Sequence, residues 1–266
     1  MTPSPTLSKV EPLPTMSLAV TEANTRLDQR WLWASLFFAV AIFAQWPRLD
    51  LVVASQYHTP AGGFVHGNEP LVLAMYHWTP LVGRIIVGAL ALIALLSPWL
   101  AAWMRRRGRG DLAHRCLGPW RHMAVVAVLC GVLGPGLVVE AWFKNAVGRP
   151  RPVQVVEFGG SEPFHGPFEP GPNPAHHRSF VSSHAATGFW LLSLGLTCGP
   201  VWRRRWLWIG LLTGSAIGAG RMMQGGHFLS DIVFAFYAVW IPCQIVMALD
   251  RWRLRRRPPA QLAGDQ

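Results

Sequence analysis

Apolar residues in this chain are gathered into long blocks, which short polar segments separate. A helix that crosses a bilayer needs about 20 mostly apolar residues, and several blocks approach that length. They predict six membrane-spanning helices, at residues 29–47, 80–104, 122–143, 182–201, 205–222 and 227–249. The pattern therefore predicts an all-α protein, a six-transmembrane helical bundle with a polar loop on its outer face.

The segments around these blocks complete the predicted organisation. Residues 1–28 are polar and predict a disordered cytoplasmic leader before a six-span domain at 29–250. Because the leader lacks a small-residue cleavage site, the first block is interpreted as an uncleaved span and not as a signal peptide. Residues 64–78 are apolar but interrupted, which favours a short interfacial helix or a re-entrant piece. Residues 251–266 form a basic cytoplasmic tail.

Composition supports a membrane protein and argues against a nucleic-acid partner. Of the 266 residues, 51% are hydrophobic and 14% are charged, against roughly 25% charged in an ordinary soluble domain. The net charge is +11, but the basic residues occur in short runs between apolar blocks, as membrane topology requires. The four cysteines are scattered without metal-ligand spacing, which argues against a disulfide framework.

The basic runs also predict the orientation. When both termini are placed in the cytoplasm, most of the 24 Lys and Arg residues lie on the cytoplasmic side, as the positive-inside rule demands. The exceptions are Arg48, Arg84, Lys144, Arg149, Arg151, Arg178 and Arg221. Most of these exceptions lie in or beside three polar segments.

The three polar segments are KNAVGRPRP (144–152), HHRSFVSSHAATGF (176–189) and GRMMQGGHFLSD (220–231). A Pro- and Gly-rich loop at 153–180 joins the first to the second. Two predicted spans separate the second from the third, and an even number of crossings returns the chain to the same side. We therefore expect all three segments to meet at the outer face.

The cations and hydroxyls of these segments suit an anion. Lys144, Arg151 and Arg221 supply positive charge for phosphate oxygens, and the arginine fork can bind two of them at once. Ser182 and Ser183 stand at the start of the fourth helix. There a hydroxyl caps free N–H groups, and those N–H groups attract an anion.

The histidines supply the reactive groups. His227 and Asp231 are four residues apart, so they share one face of a helix. A carboxylate in that position holds one imidazole nitrogen protonated and leaves the other as a nucleophile. His184 is a second imidazole, available to protonate a leaving oxygen.

These residues resemble the motifs of the type 2 phosphatidic acid phosphatase superfamily, integral-membrane lipid phosphatases related to vanadium haloperoxidases. The first motif of the family is Lys, six residues and then Arg-Pro, and it corresponds to residues 144–152. Pro-Ser-Gly-His corresponds to Val-Ser-Ser-His at 181–184. Ser-Arg, five residues, His, three residues and Asp correspond to 220–231, where glycine replaces the serine. The differences at Val181, Ser183 and Gly220 predict a changed substrate fit and leave every reactive group in place.

The resemblance covers residues 122–249 as a catalytic core and implies hydrolysis in two steps. His227 attacks phosphorus to form a phosphohistidine while His184 protonates the departing oxygen, and water then releases phosphate. The resemblance implies no metal and no cofactor, and its partners are a membrane lipid phosphate and the lipid bilayer. The oligomeric state stays open.

Other interpretations of the same residues exist. Arg221, His227 and Asp231 could form a structural ion pair at a helix end, and His184 with the latter two could bind a metal. The register of the other motifs disfavours the first, and the neighbouring cations disfavour the second.

Residues beside the motifs have less defined roles. Arg178 is placed as an auxiliary contact to phosphate or headgroup. Glu140 lies one helical turn before Lys144, and it either pairs with that lysine or contacts another group. Arg149 has no assigned role and is interpreted as facing lipid phosphates.

The predicted function is a membrane lipid phosphate phosphatase at the periplasmic face of a bacterial inner membrane. The long loop and the outer segment 50–78 favour lipid A or undecaprenyl diphosphate over phosphatidylglycerol phosphate or phosphatidate. A lipid-to-lipid phosphotransferase on the same scaffold is one alternative. A soluble haloperoxidase conflicts with the spans, and a non-enzymatic lipid-binding or transport member would be expected to lack a reactive residue.

Overall fold

The computed structural model describes residues 18–256, with side chains from residue 29 onward. Within that range the secondary structure is helical, and β pairing is limited to the isolated bridges Thr59–Gly63 and Val155–Glu162. The all-α prediction is confirmed. Residues 1–17 of the predicted leader and 257–266 of the predicted tail lie outside the described residues.

The helices follow one another with short connections, except for one long loop. We number them α1 (Leu18–Gln45), α2 (Leu49–Ser55), α3 (Pro70–Arg106), α4 (Gly110–Ala146), α5 (Ser183–Trp190), α6 (Pro200–Met223) and α7 (Leu229–Arg255). Helix α4 is continuous but changes twice to wider π-helical turns. A 3₁₀ turn at Leu191–Gly195 extends α5.

The chain divides into two compact units at residue 42. The first unit contains α1 up to Ile42, and the helix begins at Leu18. The predicted leader is therefore helical from that residue, because its last turns continue directly into the apolar block. Large side chains of α1 such as Trp31 and Phe37 are exposed, as expected for a surface that faces lipid.

Three helices of the described range are long and apolar enough to cross a membrane, namely α3, α4 and α7. A fourth span is obtained if Gln29–Gln45 and α2 form one broken span. The prediction of six spans is not confirmed. Helix α5 is short for a crossing even with its 3₁₀ extension, and α6 begins with the arginine run 203–205.

The predicted short helix at 64–78 is wrong. Residues Val65–Asn68 form a 3₁₀ turn, and α3 already begins at Pro70. Proline is favoured at the first position of a helix because its missing N–H has no partner there. From Pro70 the helix continues through Pro80, so the second apolar block and the segment before it are one helix.

Small residues and one tryptophan place α5 in the centre of the second unit. A Cβ added to Gly188 would lie 2.7 Å from the Cα of Gly214, so α5 and α6 approach backbone to backbone. Trp190 Nε1 donates to the Ala127 carbonyl at 2.9 Å, which fixes α5 against α4. These contacts determine where the start of α5, and hence His184, lies.

The long loop 153–180 folds back over the same end of the helices. Gly148 has φ +68°, a conformation that favours glycine. A Cβ on Gly171 would lie 1.7 Å from the Gly148 carbonyl oxygen, so the chain passes there with no room for a side chain. The Gly171 N–H donates to the Val147 carbonyl at 2.7 Å. The glycines therefore allow the loop to lie tightly against the end of α4.

Candidate active site

Backbone and side-chain hydrogen bonds join the three polar segments directly. The Ser182 N–H donates to the Asp231 carbonyl at 3.1 Å, and the Val153 N–H donates to the Gly225 carbonyl at 3.1 Å. Lys144 Nζ donates to the Arg178 carbonyl at 2.6 Å. The structure thus brings together the segments that crossing parity had placed on one face.

His227 and Asp231 form a buried pair. His227 precedes α7, and its Nδ1 lies 3.3 Å from Asp231 Oδ2 in the first turn of that helix. The same oxygen accepts from Ser179 Oγ at 2.5 Å and from the Phe228 N–H at 2.9 Å. Because Nδ1 faces the carboxylate, Nε2 is the nitrogen that remains for attack on an electrophile.

Arg149 is the main partner of Asp231, and the interpretation of it as a lipid-facing residue is wrong. Its side chain is fully buried. Nη1 donates to Asp231 Oδ1 at 2.7 Å and to Ser230 Oγ at 2.8 Å, while Nη2 donates to Asp50 Oδ2 at 2.7 Å. The guanidinium lies 4.4 Å from the centre of the Phe228 ring. A buried charge needs paired partners, and here two carboxylates supply them.

Asp50 is a second residue that sequence reasoning missed. It belongs to α2, is buried, and accepts from the Ser230 N–H at 2.8 Å and from Ser230 Oγ at 2.5 Å. A lone acid in the apolar stretch LDLVVAS was a signal that could have found it, because a buried carboxylate requires a cation. Its cation is Arg149, one of the basic residues that the orientation argument left off the cytoplasmic side.

Lys144 is buried and is held by backbone carbonyls. Nζ donates to Arg178 O at 2.6 Å and to Ser179 O at 3.3 Å. An ammonium has three N–H donors, so one remains for another acceptor. Glu140 does not pair with Lys144 but lies 3.7 Å from Arg178 Nη2, at an exposed position. Of the two predicted possibilities for Glu140, the structure therefore shows the contact with another group, and that group is the Arg178 guanidinium.

Ser182 caps α5. Its backbone is extended, and its Oγ accepts from the Ala185 N–H at 3.4 Å. The predicted helix start is therefore correct, with Ser183 as the first helical residue. The first turn of this helix includes His184.

A proline in α3 explains the position of His184. Pro80 has no N–H, so the Tyr76 carbonyl four residues earlier lacks its helical donor. His184 Nε2 donates to this carbonyl at 3.2 Å, and its ring stacks on Tyr76 with centroids 5.1 Å apart. Tyr76 was not predicted as a site residue, and the Pro80 pattern was the signal for its free carbonyl.

Arg221 retains an unused donor. Its guanidinium lies 4.6 Å from the centre of the Tyr76 ring, and Nη1 donates to Gln224 Oε1. Its Nε is buried and has no acceptor among the described residues. Arg151 lies within electrostatic range of both Arg221 and Lys144. Cations gathered in this way, one with an unsatisfied buried N–H, are suited to bind an anion.

The Gly225–Gly226 pair shapes the turn between α6 and α7. Gly225 has φ +61°, and the Gly226 N–H donates to the Arg221 carbonyl at 2.9 Å. A Cβ on Gly226 would lie 2.5 Å from Arg221 Nη2. The turn therefore favours glycine at 225 for its backbone conformation, and a side chain at 226 would displace the Arg221 guanidinium over which the turn folds.

Burial keeps the His227 imidazole neutral. Its removal from water lowers the pKa of His227 to about 3, and the hydrogen bond with Asp231 opposes this shift while the Lys144 charge adds to it. A neutral imidazole has a free lone pair at neutral pH, which a nucleophile requires.

The alternative interpretations fit the geometry less well. Asp231 forms its ion pair with Arg149 and not with Arg221. Over residues 18–256, no three His, Cys, Asp or Glu side chains are grouped so that they could hold a metal ion. His184 Nε2 donates to the Tyr76 carbonyl, so that nitrogen is not free to bind a metal.

The fold and the site define a class of protein: a helical membrane protein with a buried His–Asp pair beside a cluster of cations, suited to phosphoryl transfer. The chain belongs to the PAP2 superfamily, whose family model matches residues 123–255. The predictions of a type 2 phosphatidic acid phosphatase relative and of a phosphatase acting on a membrane lipid are confirmed.

Curated relatives cover most of the chain. A lipid A 4′-phosphatase of Francisella tularensis subsp. novicida is 31% identical over 80% of this chain and 91% of its own length. A lipid A 4′-phosphatase of Rhizobium leguminosarum is 28% identical over 82% of this chain and 91% of its own length. A third, from Rhizobium etli, is 26% identical over 82% of both. No solved structure matches the chain.

Proposed function

We propose that this protein hydrolyses a phosphate ester of lipid A, at the 4′-position named for its relatives, through a phosphohistidine on His227. The observation that carries the mechanism is the buried pair of His227 Nδ1 and Asp231 Oδ2, 3.3 Å apart, beside the cations of the site. The substrate is inferred from relatives at 26–31% identity that align over 80% or more of this chain.

In the first step, Nε2 of His227 attacks phosphorus, and the bond from phosphorus to the lipid oxygen breaks. The electron pair stays on the oxygen, which takes the proton that a doubly protonated His184 carries on Nδ1, while Nε2–H keeps its bond to the Tyr76 carbonyl. The negative charge of the bound phosphate favours this protonated form. Asp231 holds the proton on Nδ1 and balances the positive charge that develops on the ring. Lys144 and Arg221, together with Arg151, stabilise the charge on the equatorial oxygens of phosphorus.

In the second step, water attacks phosphorus and the bond from phosphorus to Nε2 of His227 breaks. His184, now neutral, takes a proton from the water. Inorganic phosphate leaves, and both imidazoles return to their starting states. If a second lipid took the place of water, the same site would transfer the phosphoryl group.

A cavity beside His184 supports a large lipid leaving group. It has a volume of about 500 Å³, and its wall includes Gly83, Pro135 and Trp190 together with the charged groups of Arg84 and Glu140. The departing oxygen lies on the His184 side in the proposed mechanism, so the lipid that carries it would extend into this cavity. Mostly apolar walls with a few polar groups suit a lipid with a sugar headgroup.

We also propose six spans, with both termini in the cytoplasm and the site at the periplasmic face of the inner membrane. The basic runs at 105–121, 203–205 and 251–256 support this orientation, because they lie at the ends of helices opposite the site. The bend between Gln29–Gln45 and α2 is consistent with a broken span, and the length of α5 with a short one.

The test is phosphate release by the detergent-purified protein from lipid A, undecaprenyl diphosphate, phosphatidylglycerol phosphate and phosphatidate. We expect lipid A to lose phosphate and His227→Ala to reduce the rate at least about 10³-fold, because the nucleophile is lost. His176→Ala, which removes an exposed histidine of the neighbouring loop, is the matched control and should keep the wild-type rate.

Two results would contradict the proposal. Phosphate release from another lipid but not from lipid A would contradict the proposed substrate and would be compatible with the proposed mechanism. An active His227→Ala variant would overturn the mechanism. Transfer of phosphate to an added lipid, without free phosphate, would identify the phosphotransferase alternative.

A further inference from the structure

A second cavity lies at the other end of the helices. It has a volume of about 470 Å³ and lies between the last turns of α3 and α7 and the first turns of α4. Its basic side chains come from all three helices: Arg105, His114, Arg121, His122 and Arg253. The proposed catalytic mechanism uses none of these residues.

The length of α3 places this cavity on the opposite membrane surface from the site. Tyr76 belongs to the site and Arg105 to the cavity, and at about 1.5 Å per residue they lie roughly 40 Å apart along the helix. A bilayer with its headgroups is about 40–45 Å thick. The cavity therefore lies at the level of the headgroups of the other leaflet, whichever terminus is cytoplasmic.

The Arg121 guanidinium of the cavity is fixed by a hydrogen bond to a carbonyl of α3 that has no helical donor. Pro98 has no N–H, so the Ala94 carbonyl lacks its helical donor. Arg121 Nε donates to that carbonyl at 3.2 Å, a bond between α4 and α3. The bond holds the Arg121 side chain at the cavity wall and leaves its two terminal nitrogens for another acceptor.

The remaining charges of the cavity are not balanced. Asp250 is the only carboxylate in the described wall, and its Oδ2 lies 2.9 Å from His122 Nε2. In the described part of the chain, the side chains of Arg105 and Arg253 have neither a hydrogen bond nor an ion pair. Arg105, Arg121 and Arg253 thus surround one carboxylate that is already paired with a histidine. Three such guanidiniums favour a phosphate group as their anionic partner.

The other walls are apolar and indicate more than a free ion. Leu117, Val125 and Leu254 line the cavity together with Gly118 and Pro119. The volume falls within the range of roughly 300–1,000 Å³ for sites that hold small organic molecules, and it exceeds what inorganic phosphate requires. A phosphate attached to glycerol and the first part of acyl chains matches both the cations and the apolar wall.

We propose that this cavity binds the phosphate headgroup of an anionic phospholipid in the leaflet opposite the active site. Basic pockets between membrane helices at a membrane surface recognise such headgroups. The bound lipid would hold the ends of α3, α4 and α7 together. This site is independent of the proposed enzymatic function, because it depends on neither its residues nor its substrate.

The experiment compares lipid binding by the full-length purified protein and two double variants. Arg105→Gln/Arg253→Gln removes two cavity charges, and Arg203→Gln/Arg204→Gln removes two charges from the same membrane surface outside the cavity. Native mass spectrometry counts bound dioleoylphosphatidylglycerol against dioleoylphosphatidylcholine, and thermal unfolding is followed with each lipid and with inorganic phosphate.

We expect phosphatidylglycerol to bind and to raise the unfolding temperature, while phosphatidylcholine and inorganic phosphate do not. The cavity variant should bind phosphatidylglycerol roughly 30-fold more weakly, from the effect of each basic residue near an anionic membrane. The control variant should bind as wild type does. Leu117→Trp, which fills the cavity without changing charge, should also weaken binding.

Three results would overturn the proposal. Equal weakening in both double variants would indicate attraction to the basic surface in general. Stabilisation by inorganic phosphate to the same degree would indicate a phosphate site without lipid. Unchanged binding in Leu117→Trp would indicate that the lipid lies outside the cavity. Because Leu117→Trp keeps every charge, it also decides the question if a charge variant fails to fold.

Discussion

Arg149 offers the sharpest test of how this site is held together. It joins Asp231, the residue proposed to orient the nucleophile, to Asp50 of α2, with both ion pairs at 2.7 Å and every partner fully buried. Arg149→Met would keep most of the side-chain volume and remove the charge. Two buried carboxylates would then lie close together without a cation.

The expected cost follows from this burial. Removing one member of a buried ion pair costs about 3–5 kcal/mol in the free energy of unfolding, a large share of the roughly 5–15 kcal/mol that stabilises a typical protein. Asp231 would also lose the ligand on its Oδ1, so His227 would be less well aimed. A small misplacement of a catalytic group costs about 10²-fold in rate.

The assay has two parts. Tryptophan fluorescence in detergent gives the unfolding temperature, and phosphate release gives kcat and KM at a temperature where the variant is folded. We expect a lower unfolding temperature and a kcat reduced about 10²-fold. KM should change little, because the fully buried Arg149 side chain is not exposed to a bound lipid. Arg149→Lys should retain part of the stability, since an ammonium can pair with only one carboxylate in that geometry.

Arg178→Met is the matched control. This arginine lies in the loop 153–180, next to the site. Its Nη2 is 3.7 Å from Glu140 Oε2, and both side chains are about half-exposed. Exposed pairs contribute about 0–1 kcal/mol, so its unfolding temperature should barely change. A folded Arg149→Met variant with wild-type kcat would refute the positioning role. An equal loss of stability in Arg178→Met would refute the reasoning from burial.

Further predictions concern the glycine turn, the proline of α3 and the topology. Gly226→Ala should raise KM about tenfold by displacing Arg221, since the new Cβ would lie 2.5 Å from Arg221 Nη2. Gly220→Ser should be tolerated, because a Cβ at that position has its nearest contact at 3.6 Å. Equal KM values in these two variants would contradict the steric argument. Pro80→Ala should lower kcat, because a restored N–H would compete for the Tyr76 carbonyl that holds His184, the proposed general acid. An unchanged kcat would show that this bond has no catalytic role. A carboxyl-terminal alkaline phosphatase fusion should be inactive in bacterial cells, and an active fusion would place the site in the cytoplasm.

The sequence by itself identified the candidate reactive groups and predicted that they meet. Motif spacing is local information: a separation of four positions places His227 just before a helix and Asp231 in its first turn, and a serine before a helix caps it. Crossing parity then brings the motifs to one face without any knowledge of packing. Family membership and phosphatase class depend on the same local patterns, which is why both could be predicted.

Only the tertiary structure decided how the reactive groups are held. Arg149 and Asp50 are 99 residues apart in the chain, and periodicity does not encode which buried carboxylate a cation finds. The Tyr76 carbonyl accepts a hydrogen bond from His184 because α3 and α5 pack against each other. Pro80 alone shows only that this carbonyl lacks its helical donor. Partner choice in a buried site depends on three-dimensional proximity and on the cost of unpaired charge, and both arise only when the helices pack.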